Sequence, residues 1–574
     1  MENILLVEPN YKNKYPPIGL MKISTYYKAK GCCVDFRKGV IPIEEVKKYD
    51  RVLITTLFTF DFTLCISTIQ FYIKVLGAKN VYVGGIAATI MPEKFRESVP
   101  EIQLITGQLY SSNLLGYKDD VNIDLLELDY DMLWDIDYRY PMEDSYFIYT
   151  SRGCIRKCPF CAVRILEPYF IECNNIEEQI DRVDREYGVK RNLLIMDNNF
   201  LHSSVIQNVS DSLKRLGFER GNNKVKKNNI IRYYLRSLLF RFNEGREYGS
   251  LLSRIKTVIK SINVNRVSKE HTQLVQELLQ NIDLPDREIV HYLLTSNEQI
   301  INFFDHYYYQ KITRYVDFNQ GLDARLFDEN KAQLLSELAL KPCRIAFDDL
   351  KLKDVYFAAI DLAYKHGIRY FSNYLLYNFN DGPEELWQRL SLNIDFCEKH
   401  SEMRLFSFPM KYAAIDRTDR DYVGKKWNRK YLRAINVILN VTKGIVAKEK
   451  DFFERAFGQN EKAFLEILLM PDEFIRFRDY FDDNGLIKVW KMLYNLLTEQ
   501  EKLQLIDILG RMVGEPEVLD YSYGYNIDII LPLYKLTKFK VEINNKYFEH
   551  YVSEITSVVE NEYMREPVLL KSEN

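Results

Sequence analysis

The stretch Tyr149–Val163, "YTSRGCIRKCPFCAV", places Cys154, Cys158 and Cys161 within eight residues of a chain that holds only nine cysteines. It follows the β-branched and aromatic run "YFIYTS" and precedes a helix-strand series. The cysteine loop is therefore expected to leave the end of a strand in an α/β unit. The spacing C-x3-C-x2-C forms one compact loop, whereas zinc sites usually take a pair of ligands and a second pair well downstream. Three thiolates can hold three irons of a 4Fe–4S cube and leave the fourth open to an external ligand, the arrangement that separates catalytic metal sites from closed ones. Two other readings stand beside it. Cys173, twelve residues beyond Cys161, could complete a closed four-thiolate zinc or electron-transfer site, and free cysteines are often simply buried.

The surrounding chain bounds the class. With 574 residues it is too long for a single core. A hydrophobic content of 47%, a charged content of 28% and a net charge of −3 describe a globular protein with no general preference for polyanions. The start "MENILLVEPN" lacks the basic opening of a signal peptide, and "VLITTLFTFDFTLCI" is broken by Asp61 well short of a bilayer span. A cytoplasmic location with reduced cysteines is expected, along with metal or redox chemistry rather than disulfides.

Residues 1–118 alternate "ILLVEP", "CVDFRKG", "RVLITT", "NVYVGG" and "IQLITG" with helical stretches such as "LMKISTYYKAKG" and "FTLCISTIQFYIKVLG". Parallel strands need crossover helices, so this pattern predicts a doubly wound parallel sheet. Residues 119–145 are acidic and weakly periodic, the character of a connector. A second series, 146–412, offers six strands at "YFIYTSRG", "NLLIMDN", "YVDFNQG", "CRIAFDD", "YFSNYLLYN" and "LFSFPMKY", a pattern that suits a (β/α)6-type partial barrel. The interval 203–312 exceeds any plain crossover and has helical composition, so a helical insertion is expected there. Residues 413–574 read as mainly helical, with a hairpin expected around "IDIILPLYKLTKFKVEI".

The motif "RGCIRKCPFC", placed directly after a strand and ahead of α/β units, with Phe160 before the last cysteine, resembles the radical S-adenosylmethionine (SAM) superfamily from about Tyr146 to Tyr412. The resemblance implies that Cys154, Cys158 and Cys161 hold a 4Fe–4S cluster. Its reduced form would cleave SAM to methionine and a 5′-deoxyadenosyl radical that abstracts hydrogen from, or supports methylation of, the substrate. It also implies an electron donor such as flavodoxin or ferredoxin. SAM would be held at the carboxyl ends of the strands. Asp197, Asn198 and Asn199 stand where the family binds the methionine amino group, without spelling its Gly-Gly-Glu. Gln320, with Asp323 and Arg325, follows the third strand; Asp348 and Asp349 end the fourth; Tyr377 and Asn378 end the fifth. Capping and turn formation offer a structural account of such residues. "NDGPEEL" reads as a helix start, so Glu384 and Glu385 are excluded from the site.

With "PPIGL" and "VGGIAAT", the N-terminal region resembles the cobalamin-binding domain that precedes many radical SAM barrels. Gly84 and Gly85 would form its nucleotide-facing loop. The chain has no histidine before His202, which excludes the family's histidine-ligated cobalamin there. Binding without that ligand, or a degenerate domain that only packs, are the readings left. A second cluster of the methylthiotransferase kind on Cys32, Cys33 and Cys65 is disfavoured, because neighbours on a strand face opposite ways.

Segment 214–246 carries ten Lys or Arg against two Glu, a local charge of +8, with Tyr233, Tyr234, Phe240 and Phe242 interleaved. Such a segment could serve tRNA or another nucleic acid as an alternative substrate class, or form a solvated helical face with its aromatics packed inward.

Overall fold

The computed structural model describes residues 2–173, 176–226, 229–307, 311–511 and 522–560. They divide into two compact units: residues 1–344, 359–368 and 413–421 form the first, and 345–358, 369–412 and 422–574 the second.

The first unit opens with a five-stranded sheet of β1 (Asn3–Glu8), β2 (Cys33–Lys38), β3 (Arg51–Thr56), β4 (Val81–Gly85) and β5 (Gln103–Leu104). Every pairing is parallel and the order is β2-β1-β3-β4-β5, a doubly wound topology. Central β1, "NILLVE", is buried from Ile4 to Glu8 because helices cover both of its faces. The helix Phe62–Leu76 buries Cys65, Thr68, Ile69 and Tyr72 on one face, the i, i+3, i+4, i+7 spacing of an amphipathic helix.

Residues 119–145, read from the sequence as a connector, are packed. Tyr130, Met132, Leu133 and Trp134 are buried in a run of short 3-10 turns. Asp135 accepts the Phe36 backbone N–H at 2.8 Å, tying the segment to β2.

The six expected strands of the second series all form: β6 (Ser145–Ile148), β9 (Asn192–Ile195), β12 (Tyr315–Phe318), β13 (Cys343–Arg344), β14 (Tyr370–Tyr377) and β15 (Arg404–Lys411). Between them lie two short antiparallel pairs, β7 (Ser151–Arg152) with β8 (Ile171–Glu172) and β10 (Lys224–Lys226) with β11 (Lys311–Thr313). In the first unit β6, β9 and β12 run parallel in the order β12-β9-β6. In the second unit β14 pairs with β15 in parallel along eight residues. The fold is thus α/β with parallel sheets and a helical C-terminal part.

The insertion is helical as expected, with its main helices at Ile230–Asn243, Gly249–Lys260, Thr272–Asn281, Asp286–Thr295 and Asn297–Tyr307. The β10–β11 clip across its ends has no signature in the local sequence pattern. The expected hairpin near residue 530 does not form. That stretch holds helices at Tyr525–Ile530 and Lys538–Ile543 with a 3-10 turn between them. Ile527, Ile530 and Leu533 recur every third residue and are buried together, so helical periodicity prevails over the β-branched composition. "NDGPEEL" starts the helix Pro383–Lys399, and the Glu385 carboxylate accepts the Gly382 N–H at 2.7 Å. Among the described residues, no helix is long and apolar enough to cross a membrane.

Candidate functional site

The register of the three-stranded sheet aligns Ile148, Ile195 and Phe318, so the segments that follow β6, β9 and β12 leave from one edge. Backbone bonds continue past the strands: Met196 N–H donates to Ile148 at 2.8 Å and Asn319 N–H to Ile195 at 3.0 Å. The cysteine loop, the 197–199 segment and the 319–325 segment therefore start side by side.

Asp197 anchors the base of the cysteine loop. Its buried carboxylate accepts the Thr150 N–H at 2.7 Å, the Thr150 hydroxyl, and the Ser151 hydroxyl at 2.7 Å. Burial pushes this carboxyl above its ordinary range, against the hydrogen bonds that pull it down.

Glu167, which carried no sequence signal, fixes the next turn. Oε2 accepts the Gly153 N–H at 2.6 Å and the Asn198 amide at 2.7 Å, while Oε1 pairs with Arg152 at 3.0 Å. Gly153 has φ +77°, and a Cβ there would lie 2.0 Å from the Tyr169 carbonyl oxygen, so only glycine fits.

Above this base, the Cys154 sulfur receives the Arg156 backbone N–H at 3.3 Å and the Asn199 amide at 3.4 Å. Asn199 is 2% exposed, and its Oδ1 is buried with no hydrogen-bond partner among the described residues. Asp323 takes Arg156 at 2.9 Å and Arg325 at 2.6 Å. Although burial works against it, these cations hold the Asp323 carboxyl below its usual range. Arg325 is raised by Asp323 first and also by the Cys158 sulfur, which its guanidinium approaches. The Cys161 N–H donates to the Cys158 carbonyl at 3.1 Å. Gln320 lies exposed at the turn after β12.

All three loop cysteines are half-buried. Their sulfurs are not drawn into a coordination set: among the described residues, no three His, Cys, Asp or Glu side chains converge as metal ligands, and Cys173 belongs to no such group. Cys173 instead has Arg152 and Lys22 as charged neighbours, and burial pushes its thiol up. The donor chemistry of the loop nevertheless fits an iron–sulfur cluster, since it offers three thiols on one turn and N–H groups aimed at sulfur.

The remaining SAM candidates lie in the second unit, where each serves the fold. The Asp348 carbonyl accepts Arg389 at 2.9 Å. Tyr377 is buried with its ring 5.3 Å from Trp427, and burial raises its phenol. Asn378 sits at φ +68°, accepts the Gly424 N–H at 2.8 Å and donates to the Tyr422 carbonyl at 3.0 Å.

The N-terminal sheet does not fit cobalamin. A doubly wound sheet binds ligands outside the carboxyl ends of its strands, where the strand order reverses. Here that edge is filled from within. Glu8 is 1% exposed and takes Lys38 and the Tyr140 hydroxyl, while the Lys38 ammonium lies 4.8 Å from the Tyr138 ring centre and 5.2 Å from that of Tyr11. Neither glycine opens a cradle: a Cβ on Gly85 would strike the Thr56 backbone at 2.4 Å, and one on Gly84 would press on the Ile105 carbonyl at 3.3 Å. Cys65 lies in the core of this domain, away from any surface.

The basic segment is largely neutralised by its own fold. Lys214 pairs with Glu337, Arg215 with Glu177, Arg232 with Asp305, Arg236 with Glu186, Arg241 with Asp131 and Asp135, and Arg246 with Asp35. Tyr233 and Tyr234 pack inward, while Phe240 and Phe242 are exposed.

No family model matches the sequence, and no curated protein matches it. Among solved structures the chain is similar to the radical SAM methyltransferase TsrM from Kitasatospora setae, solved with its tryptophan substrate and a SAM analogue bound. The likeness has a TM-score of 0.39 and 13% identity, covering 68% of this chain and 71% of that one.

Proposed function

We propose that this chain is a radical SAM enzyme in which Cys154, Cys158 and Cys161 hold a 4Fe–4S cluster. The observation that carries the reading is the C-x3-C-x2-C loop leaving the carboxyl edge of a parallel sheet, with the Asn199 amide and the Arg156 N–H directed at the Cys154 sulfur. When bound, the reduced cluster and SAM together supply a 5′-deoxyadenosyl radical, a strong hydrogen-atom abstractor.

The chain's own residues position and shield. Asp197, Glu167 and Gly153 fix the base of the loop, so the thiols are presented from a rigid turn. N–H donors at sulfur stabilise negative charge on the thiolate and favour the reduced cluster. The Asn199 Oδ1, an acceptor without a partner among the described residues, suits an ammonium donor such as SAM's methionine amino group. Asn198 and Gln320 are the other polar groups proposed for SAM at this edge. The substrate could undergo hydrogen abstraction or methylation.

The test is anaerobic reconstitution followed by dithionite and SAM. Methionine and 5′-deoxyadenosine are expected from the native chain and from Cys173→Ala, and neither product from Cys158→Ala. A bound zinc ion, or loss of the cluster in Cys173→Ala as complete as in Cys158→Ala, would replace this reading with a closed four-thiolate site.

A further inference from the structure

The edge of the β6-β9-β12 sheet opposite the cysteine loop borders a cavity of about 180 Å³. Its lining includes residues that precede those strands: Glu143 and Asp144 before β6, Gly188 to Arg191 before β9, and Ile312 before β12. Four-residue strands separate the two edges by about 13 Å. Four aromatic rings contribute to the wall. Tyr130 and Tyr187 have centres 5.5 Å apart, while Trp134 and Tyr234 lie 4.9 Å apart and nearly perpendicular. Gly188, at φ +85°, turns the chain after the helix Ile176–Tyr187, and Lys190 then lies in the wall at 6% exposure. Its ammonium is 4.5 Å from the centre of the Tyr130 ring, and its hydrogen bond to the Tyr187 carbonyl is long, 3.4 Å. Among the described residues it enters no ion pair. Two nearby carboxylates are engaged elsewhere, Glu143 by Arg254 at 3.1 Å and Asp184 by the Tyr146 hydroxyl. Burial lowers the pKa of Lys190, although Asp144, Glu143 and Asp184 draw it up. A buried ammonium this weakly partnered burdens the fold unless another group meets it.

We propose that this cavity binds a small, single-ring aromatic carboxylate, its carboxylate on Lys190 and its ring among Trp134, Tyr187 and Tyr234. The volume slightly exceeds the ~150 Å³ that accommodates benzene, so one ring with a short acidic group fills it. Aromatic walls reward a flat aromatic guest through offset and edge-to-face contacts. A single ammonium suits a monoanion, whereas the second charge of a phosphate would meet Glu143 and Asp144. None of these residues belongs to the cysteine loop or to the carboxyl edge of the sheet, so the site stands independently of the radical SAM reading. Its wall is also tied to β6. The Tyr130 hydroxyl donates to the Ser145 carbonyl at 2.7 Å, and the Lys190 N–H donates to the Tyr146 hydroxyl at 2.9 Å. A bound guest therefore braces the start of that strand.

The experiment titrates the full chain with sodium benzoate, followed by calorimetry and tryptophan fluorescence, and repeats the titration with acetate and with benzyl alcohol. Benzoate should bind saturably and raise the melting temperature, and acetate should bind about tenfold or more weakly. Lys190→Met should lose about tenfold or more in benzoate affinity while keeping its affinity for uncharged benzyl alcohol. Val189→Trp fills the cavity from a half-buried position in its wall and should abolish binding of both ring compounds. Cys158→Ala should bind benzoate as the native chain does, and a loss there would move the ligand to the cysteine loop and overturn the proposal. Failure of the native chain to bind benzoate would also overturn it, as would acetate binding as tightly as benzoate. Undiminished benzoate binding in either cavity variant would do the same, so Val189→Trp decides alone if Lys190→Met does not fold.

Discussion

Asn199 donates its side-chain amide to the Cys154 sulfur at 3.4 Å from a wholly buried position, so one strand end senses the loop of another. An N–H bond to sulfur stabilises the more negative state of a cluster. Replacing the amide by an isosteric apolar group, Asn199→Leu, should therefore lower the reduction potential. The loss of one such bond, about 1 kcal/mol, corresponds to roughly 40 mV for a one-electron couple. Potentiometric titration followed by electron paramagnetic resonance measures it. An unchanged potential would show that the contact has no influence on the cluster.

Asp197 should behave as a structural keystone. Asp197→Ala leaves the Thr150 N–H and two hydroxyls without their acceptor in a buried place. A loss of about 2–4 kcal/mol is expected from denaturant unfolding, together with faster amide exchange at Thr150 and Ser151.

Thiol reactivity should separate the three loop cysteines from the three fully buried ones. Burial pushes Cys65 and Cys343 up to about 12 and Cys397 up to about 11, which leaves almost no thiolate at neutral pH. The half-buried Cys154, Cys158 and Cys161 should be alkylated first by iodoacetamide in metal-free protein and protected after cluster reconstitution, as read by peptide mass spectrometry.

Lys430 should make the second unit sensitive to alkaline pH. Its ammonium is buried against the Met470 carbonyl at 2.6 Å and Asp472, and burial lowers its pKa to about 8 from 10.5. Between those values the unfolded chain binds more protons than the folded one, so this group makes stability rise with pH from about 8 to 10.5, and its cost is fully present below about 8. Thermal unfolding should show that Lys430→Met removes that slope, whose full height is on the order of 3 kcal/mol.

Breaking the buried pair of Arg241 with Asp135, 2.5 Å apart, should destabilise the first unit by about 3–5 kcal/mol in Arg241→Ala, because Asp135 is left buried without its cation. Unfolding monitored by Trp134 fluorescence reads it. A change near zero would mean that the carboxylate finds another partner.

The parts of the molecule legible in the sequence are those governed by local pattern. Strands such as "RVLITT" and "NLLIMDN" are short apolar runs bounded by turn residues, and they form where their composition places them. The cysteine loop was legible because its spacing restricts the chemistry. Interactions between distant segments were not. Nothing in "LEPY" tells which N–H groups Glu167 will accept, and a count of cations over 214–246 cannot reveal that Arg241 is buried beside Asp131 and Asp135. Composition also misled at "IDIILPLY", where isoleucines suggest a strand while their three-residue spacing builds a helix. In the sequence Asp197 reads as a candidate for SAM's methionine amino group at a strand end. That it grips Thr150 rather than standing open follows from the β6–β9 register, which only the folded sheet supplies.

The β7–β8 neck ties both ends of the cysteine loop to each other before either reaches the rest of the chain. Residues between 154 and 170 other than the three cysteines and Glu167 can therefore be exchanged as one cassette while β6 and β9 keep their pairing. Over evolutionary time, or at a designer's bench, such an arrangement lets a protein retune what approaches its thiols without rebuilding the scaffold that carries them.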